Sequence, residues 1–304
     1  MGPGPNAEQK SARGLRLGDS FLSLERPLVM GVLNVTPDSF SDGGLFDRPE
    51  AALALARRMK DEGADILDVG AESTRPGSSR ITTEEELRRL LPVLNSLLEE
   101  KTAVLSVDTS NPKVAEEVLR RGVRLINDVR GLRNPELREA IARFNAAAVI
   151  MHMQGEPETM QDDPRYEDVV REVKDYLAHQ AELAAAAGIG QVIIDPGIGF
   201  GKTLEHNLEL IRNLAAFKEL GYPVCLGVSR KGFIGKITGG SDPMDRLEGT
   251  IAANAFGLLG GADILRVHDV RAAVRTVKMV EALRGKGGEI SFLLADDAPR
   301  LTIK

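Results

Sequence analysis

Residues 103–128 read AVLSVDTSNPKVAEEVLRRGVRLIND. The first and last six residues are short apolar runs that end in Asp108 and in Asn127 with Asp128. Between them Val114, Ala115, Val118 and Leu119 recur at spacings of three and four, the mark of a helix with one inward-facing stripe. Asn111 stands ahead of Pro112, placing a cap acceptor before a proline at the first helical position, where no backbone hydrogen bond is lost. Gly122 falls where a left-handed C-terminal residue is expected. The segment therefore reads strand, helix, strand, and a helical crossover of this length joins parallel neighbours.

The same unit recurs in both directions. Strand-like runs at 28–34, 64–70, 103–108, 123–128, 147–152, 191–195, 223–229 and 262–268 alternate with amphipathic segments at 49–63, 82–100, 111–122, 134–144, 166–188, 204–221, 244–261 and 269–287. Eight strands in strict alternation with helices predict an α/β fold, a (β/α)8 TIM barrel forming a single domain over 15–287. A doubly wound open sheet is the rival, but no GxGxxG follows an early strand. Residues 15–26 read as a short hairpin, with Leu17, Phe21 and Leu24 available to cap one end of the core. Residues 1–14 read as a loose tail and 288–304 as an extension.

Composition narrows the partners. The chain has 304 residues, 42% of them hydrophobic, with 45 acidic against 39 basic and a net charge of -6. That balance gives no reason to expect nucleic acid or an anionic membrane surface. The N-terminus lacks an apolar segment and no stretch approaches the roughly 20 apolar residues of a membrane helix, so a cytoplasmic location is expected. Cys225 is the only cysteine and reads as a core residue. It and four histidines without H-x-x-x-H spacing do not make a zinc site.

The strand interiors are apolar, whereas their C-terminal ends carry Asn34, Glu72, Thr74 with Arg75, Asp108, Asn127, Met151, His152, Asp195, Ser229, Lys231, Arg266 and His268. The βα loops of a barrel meet at one face, so these scattered residues are expected around one pocket. Asp108 and Asp195 offer carboxylates, Asn34 and Asn127 paired donors and acceptors, and Lys231, Arg266 and His268 positive charge. A flat heterocycle carrying a pyrophosphate would use all of them. For any one Asp or Asn the rival reading is local capping, and an Asx-turn competes at Asp195 before Pro196. Asp128 and His152 read as structural neighbours of the pocket, and Asp68 as a structural carboxylate within the barrel.

Residues 196–203, PGIGFGKT, miss the phosphate-binding loop pattern because Pro196 stands where the first glycine belongs. Their glycines are expected to keep a turn beneath a flat ligand, with Phe200 near the ring and the role of Lys202 open. The polar loops at 34–46 and 70–80 read as lids. Mg2+, which needs few protein ligands when phosphate oxygens share the work, is the expected cation, with Asn34 its candidate ligand.

The stretches GVLNVTPDSFSDGG (31–44), ILDVGAESTRPG (66–77), LSVDT (105–109), INDV (126–129), MHMQGEPETMQ (151–161), IIDPGIGFGKT (193–203), GVSRKGFIG (227–235) and RVHDV (266–270) resemble, in order, those of the bacterial dihydropteroate synthases, the sulfonamide-inhibited pterin-binding barrels of folate biosynthesis. The resemblance implies condensation of 7,8-dihydropterin pyrophosphate with 4-aminobenzoate by a dissociative path. It implies a pterin site of Asp108, Asn127, Met151, Asp195, Phe200, Gly227 and Lys231, and a pyrophosphate site of Asn34, Arg75, Arg266 and His268 with Mg2+ on Asn34. Phe40, Thr74, Pro76 and Ser229 would frame the aminobenzoate, and Asp42 would organise the closed first loop. Asp108, Lys231, Arg266, His268 and Asn34 form the implied catalytic group, and a homodimer through the later helices is implied as well. Gly232 departs from the Ser or Pro often found there, which bears on loop flexibility. A pterin-dependent methyltransferase and an inactive synthase-like binding protein remain the alternatives; both intact long loops and Lys231 speak against the second.

Overall fold

The computed structural model describes residues 13–36, 48–72, 81–101, 103–156, 159–240 and 242–285. Of the tail expected over 1–14, residues 1–12 lie outside the described residues, as does the extension expected over 288–304. A hairpin opens the described chain, β1 (Gly14–Leu17) pairing antiparallel with β2 (Ser20–Ser23). Then come β3 (Leu28–Asn34), α1 (Arg48–Asp61), β4 (Ile66–Gly70), α2 (Thr83–Glu100), β5 (Val104–Asp108), α3 (Pro112–Arg121), β6 (Leu125–Asp128), α4 (Pro135–Arg143) and β7 (Ala147–Met151). The chain continues through α5 (Val169–Ala186), β8 (Val192–Asp195), α6 (Leu204–Arg212), α7 (Ala215–Lys218), β9 (Cys225–Leu226), α8 (Gly232–Thr238), α9 (Leu247–Leu259), β10 (Ile264–Val267) and α10 (Val270–Leu283).

Strands β3 to β10 form one parallel sheet in the order β8-β7-β6-β5-β4-β3-β10-β9, and a parallel bridge between Ile194 and Val224 joins the two outer strands. The sheet thus closes into the expected barrel. Alternation along each strand divides the interior. Val29, Leu67, Val107, Ile126, Ile194 and Leu265 point outward and pack under the helices. Leu28, Met30, Ile66, Leu125, Ile193 and Ile264 point inward. The hairpin closes the end of the barrel opposite the site. Leu15, Leu17 and Leu24 join the inward cluster, whereas Phe21 is 43% exposed, beneath the Arg16 guanidinium.

Local signals were obeyed at several helix ends. The Asn111 and Asn134 side chains accept from the Lys113 and Glu136 amides, and Gly122 is left-handed at φ 119°. Three elements differ from the periodic reading. The helix expected over 204–221 breaks after Arg212, where the Asn213 side chain donates to the Glu209 carbonyl and competes with the helical ladder. A 3-10 turn at Pro243–Arg246, capped by Asp242, precedes α9. The seven-residue α8 has no counterpart in the reading, since Gly232, Gly235 and Thr238 leave no legible stripe in so short a segment.

Candidate active site

The carboxyl ends of the strands carry the site, and strand register sets its levels. Gly70 pairs with Asp108 and Asp108 with Asn127, while Asp68 lies one inward position below, opposite Ser106. Arg266 enters from β10 and is held at two points: Nε donates to Asp68 Oδ2 and Nη2 to Asp108 Oδ2, each at 2.7 Å. The same Asp68 oxygen accepts from Asn127 Nδ2 at 2.9 Å. Burial pushes Asp108 up to about 7; Arg266 opposes the rise, and the charge of Asp68 adds to it. For Arg266, burial works against the charge, yet Asp68 and Asp108 together raise it above its ordinary value.

Across the mouth, Asp195 ends β8. Its Oδ1 accepts from the Gly197 amide at 2.7 Å, so the Asx-turn is present, and Oδ2 faces the Gly227 backbone. One oxygen shapes the turn and the other remains toward the pocket. Burial raises this carboxyl as well, against Gly197 and Lys231. Lys231 follows Arg230, a non-glycine residue at φ 58°. Such a backbone persists only where its surroundings hold it. Here Asp269 grips the Arg230 guanidinium at 2.6 and 2.9 Å and Thr250 accepts from its amide. The turn brings Lys231 Nζ to 4.0 Å from the Phe200 ring centre, and burial lowers the lysine to about 8.

Phe200 lies with Val129, Met151, Met153 and Met160 in a small apolar cluster of its own, a flat wall beside the charged ring. The glycines of the turn are required by contact. A Cβ on Gly197, at φ +69°, would stand 1.8 Å from the His152 carbonyl oxygen, and one on Gly201, at φ +59°, would stand 2.3 Å from that of Gln154. Lys202 clamps this turn from within. Its buried ammonium donates to the Gly197 and Phe200 carbonyls at 2.9 Å and meets His152 Nδ1 at the same distance. Burial, followed by the Lys202 charge, pushes His152 down to about 2, so its ring is the neutral acceptor.

His268 meets Ser229 Oγ through both its backbone amide and Nδ1 at 3.1 Å. Burial, with Arg266 beside it, lowers His268 to about 3. It therefore offers hydrogen bonding and not the positive charge expected of it. Asp128 turns away to hold Ser110 and the amides of Arg130 and Leu132, as a structural neighbour does. Phe40, Asp42, Thr74, Arg75 and Pro76 lie outside the described residues.

The expectation of Mg2+ on Asn34 is corrected. Among the described residues no group of three or more His, Cys, Asp or Glu side chains is arranged to hold a metal ion. Asn34 faces Gly70, and the carboxylate next along, Asp108, is already paired with Arg266.

Two contributors went unjoined in the sequence. Asp68 was legible as a buried carboxylate, but its bonds to Asn127 and Arg266 span 59 and 198 residues. Glu86 shares its stripe with Leu90, Val93, Leu94 and Leu97, an available sign of burial. It accepts from Thr109 Oγ1 at 2.6 Å, and burial raises it to about 7.

The sequence pattern of the pterin binding enzyme family matches residues 30–268, a span that begins in β3 and ends just beyond β10. The chain belongs to this family. Within it, the chain is 44% identical to the dihydropteroate synthase of Escherichia coli (strain K12) over 263 residues, covering 86% of this chain and 93% of that one. Among solved structures, dihydropteroate synthase from Thermus thermophilus in complex with 4-aminobenzoate is similar at 49% identity and a TM-score of 0.81, covering 89% of this chain and 100% of that one. The Xanthomonas albilineans enzyme in complex with 7,8-dihydropteroate is similar at 42% identity and a TM-score of 0.82, covering 90% of this chain and 99% of that one. The chain is thus a bacterial-type member among the dihydropteroate synthases of the pterin-binding family. No helix among the described residues is long and apolar enough to cross a membrane.

Proposed function

We propose that this chain condenses 7,8-dihydropterin pyrophosphate with 4-aminobenzoate, releasing pyrophosphate and forming 7,8-dihydropteroate. The observation that carries the reading is the convergence of Asp108, Asn127, Asp195, Lys231 and Arg266 around one barrel mouth, beside the flat wall of Met151 and Phe200.

In this reading Asp108, Asn127 and Asp195 take the donor edge of the pterin, Lys231 its carbonyl side, and Gly227 lets the ring approach the backbone. Breaking the bond between the exocyclic carbon and oxygen sends the electron pair out with pyrophosphate. The electron-rich ring, held against Asp108, spreads the positive charge left on that carbon. Arg266 and His268 stand at the pyrophosphate end with Asn34, and Arg75 completes that group. The amine nitrogen then attacks the carbon and releases its proton, with the aminobenzoate framed by Ser229, Phe40, Thr74 and Pro76. No covalent nucleophile is required, and the Cys225 thiol, raised by burial, is unsuited to be one.

Ile251, Phe256 and Leu259 on α9 and Met279 and Leu283 on α10 expose apolar side chains on two helices that pack together. A second copy of the chain is the occupant proposed for this face, and sedimentation of a monomer at micromolar concentration would remove it.

The test of the activity is incubation with both substrates, pyrophosphate release and mass detection of dihydropteroate. Folded protein that yields no dihydropteroate defeats the reading. Methyl transfer from a methylated pterin to a thiol or corrinoid, supplied in a separate incubation, would favour the methyltransferase alternative.

A further inference from the structure

Asp68 stands outside the set of side chains assigned to the ligand, yet it touches two of them. It is fully buried in the barrel interior. A single oxygen, Oδ2, receives Arg266 Nε at 2.7 Å and Asn127 Nδ2 at 2.9 Å, while Oδ1 meets no protein donor among the described residues. A carboxylate only accepts, so the end of the Asn127 amide that faces it must be the NH2. The carbonyl oxygen of Asn127 is on the other branch, turned away from Asp68. Arg266 is fixed in the same way: with Nε on Asp68 and Nη2 on Asp108, its plane is set by two carboxylates on adjacent strands.

We infer that Asp68 is a positioning residue for substrate recognition: it fixes the Asn127 amide as an acceptor toward the ligand and locks the Arg266 plane above it. The inference rests on the pterin reading of the site and deepens it. A ring N–H is what the fixed Asn127 carbonyl selects, and a ring nitrogen without hydrogen at that point is rejected because two acceptors would face each other. The charge of Asp68 has a second consequence. Asp108 is faced by Arg266, which favours its ionised form, and by Asp68, Asp128 and Glu86, which disfavour it.

The structure separates these two effects in a pair of variants. In Asp68→Asn the amide oxygen can take the place of Oδ2 and keep both donors, while its NH2 takes the place of Oδ1; Ser106, opposite in the ladder, has a hydroxyl without a partner among the described residues. Charge is lost and orientation is kept. In Asp68→Ala both are lost.

The experiment is calorimetric titration of the unaltered chain and both variants with 7,8-dihydropterin pyrophosphate, followed by steady-state kinetics in both substrates across pH. Asp68→Ala is expected to weaken pterin binding by roughly tenfold to a hundredfold, the loss of one or two charge-assisted hydrogen bonds, with KM for 4-aminobenzoate unchanged. Adding Asn127→Ala to it is expected to weaken binding by less than the product of the two single effects, because Asp68 acts through Asn127. Asp68→Asn is expected to bind within a fewfold of the unaltered chain and to move the acid limb of kcat/KM for the pterin to lower pH. If Asp68→Ala does not fold, Asp68→Ser, whose shorter side chain falls short of both donors, is titrated in its place. Undiminished pterin affinity in a folded Asp68→Ala or Asp68→Ser, equal losses in both KM values, or a loss in Asp68→Asn as large as that in Asp68→Ala would each overturn the inference while leaving the pterin reading in place. Failure of the unaltered chain to bind the pterin would overturn both.

Discussion

Along four strands of one barrel, a step of two residues changes the material of the interior. Ile66, Leu125, Ile193 and Ile264 form part of an apolar layer closed from outside by Leu15, Leu17 and Leu24. Two positions on, about 6.6 Å along each strand, stand Asp68, Asn127, Asp195 and Arg266. The lower layer is held by burial alone, which stabilises by about 25 cal/mol for each Å2 of apolar surface removed from water. The upper layer holds charge in the same confined volume, where burial disfavours the charged forms of Asp195 and Arg266 and neighbouring opposite charges counter that penalty. Closing the sheet and receiving a polar ligand are therefore tasks of adjacent layers, and substitutions should separate them.

The sharpest separation is expected at Asp108. Asp108→Ala should lower kcat/KM for the pterin substrate by about a thousandfold, because a site built around a hydrogen-bonded donor edge loses its acceptor. The thermal midpoint should move little, since Arg266 keeps Asp68 and a carboxyl penalised by burial is gone. Steady-state kinetics beside calorimetry checks this. A large fall in midpoint with kinetics intact would show that the two layers are one structural unit.

The converse substitution is Met30→Ala in the lower layer. Met30 is fully buried within the inward cluster. Its truncation should cost about 3 kcal/mol of stability, as measured by denaturant unfolding. KM for either substrate should stay where it is. A shifted KM would mean that the packing of the floor sets the geometry of the mouth.

The same two layers differ in how far the sequence disclosed them. The apolar layer lies in continuous apolar runs that could be read strand by strand, as could the caps at Asn111 and Asn134, because each depends on residues a few positions apart. The ring of polar strand ends was legible too, since a closed barrel gathers them whatever loops intervene. Hidden were relations between residues far apart in the chain: Asp68 with Arg266, Lys202 with His152, and Glu86 with Thr109. The neutrality of His268 was hidden for the same reason, because burial and the neighbouring Arg266 set it. Mg2+ was expected from the chemistry of a pyrophosphate, whereas the strand ends answer with Arg266 between two carboxylates.

Acidification should pull activity and stability in opposite directions. With Asp108 raised to about 7, pterin binding that needs its carboxylate is lost as pH falls below that value. The decline in kcat/KM should approach about tenfold per pH unit, or ~1.4 kcal/mol. Stability responds with the other sign. A carboxyl whose folded pKa lies above its unfolded value of 3.8 favours the folded chain increasingly as pH falls from about 7 toward 4. His152 and His268, both lowered, oppose this below their unfolded value of 6.5. The contribution of Asp108 is thus read from the difference between the unaltered chain and Asp108→Asn. That difference should grow in favour of the unaltered chain as pH falls through the window, and a constant difference would mean that Asp108 is not raised.

The smallest effect tests whether nearness to the mouth alone makes a residue functional. Asn134 begins α4, just beyond the carboxyl end of β6, so in sequence it lies only six residues from Asp128. Its side chain, however, accepts from the Glu136 amide and is bound to the helix, not to the pocket. Asn134→Ala should cost about 1 kcal/mol of stability through loss of the cap, with both KM values unchanged. If kcat/KM fell with it, the loop between β6 and α4 would have to be counted with the site, and the boundary between the two layers would lie further out than the inward-facing side chains place it.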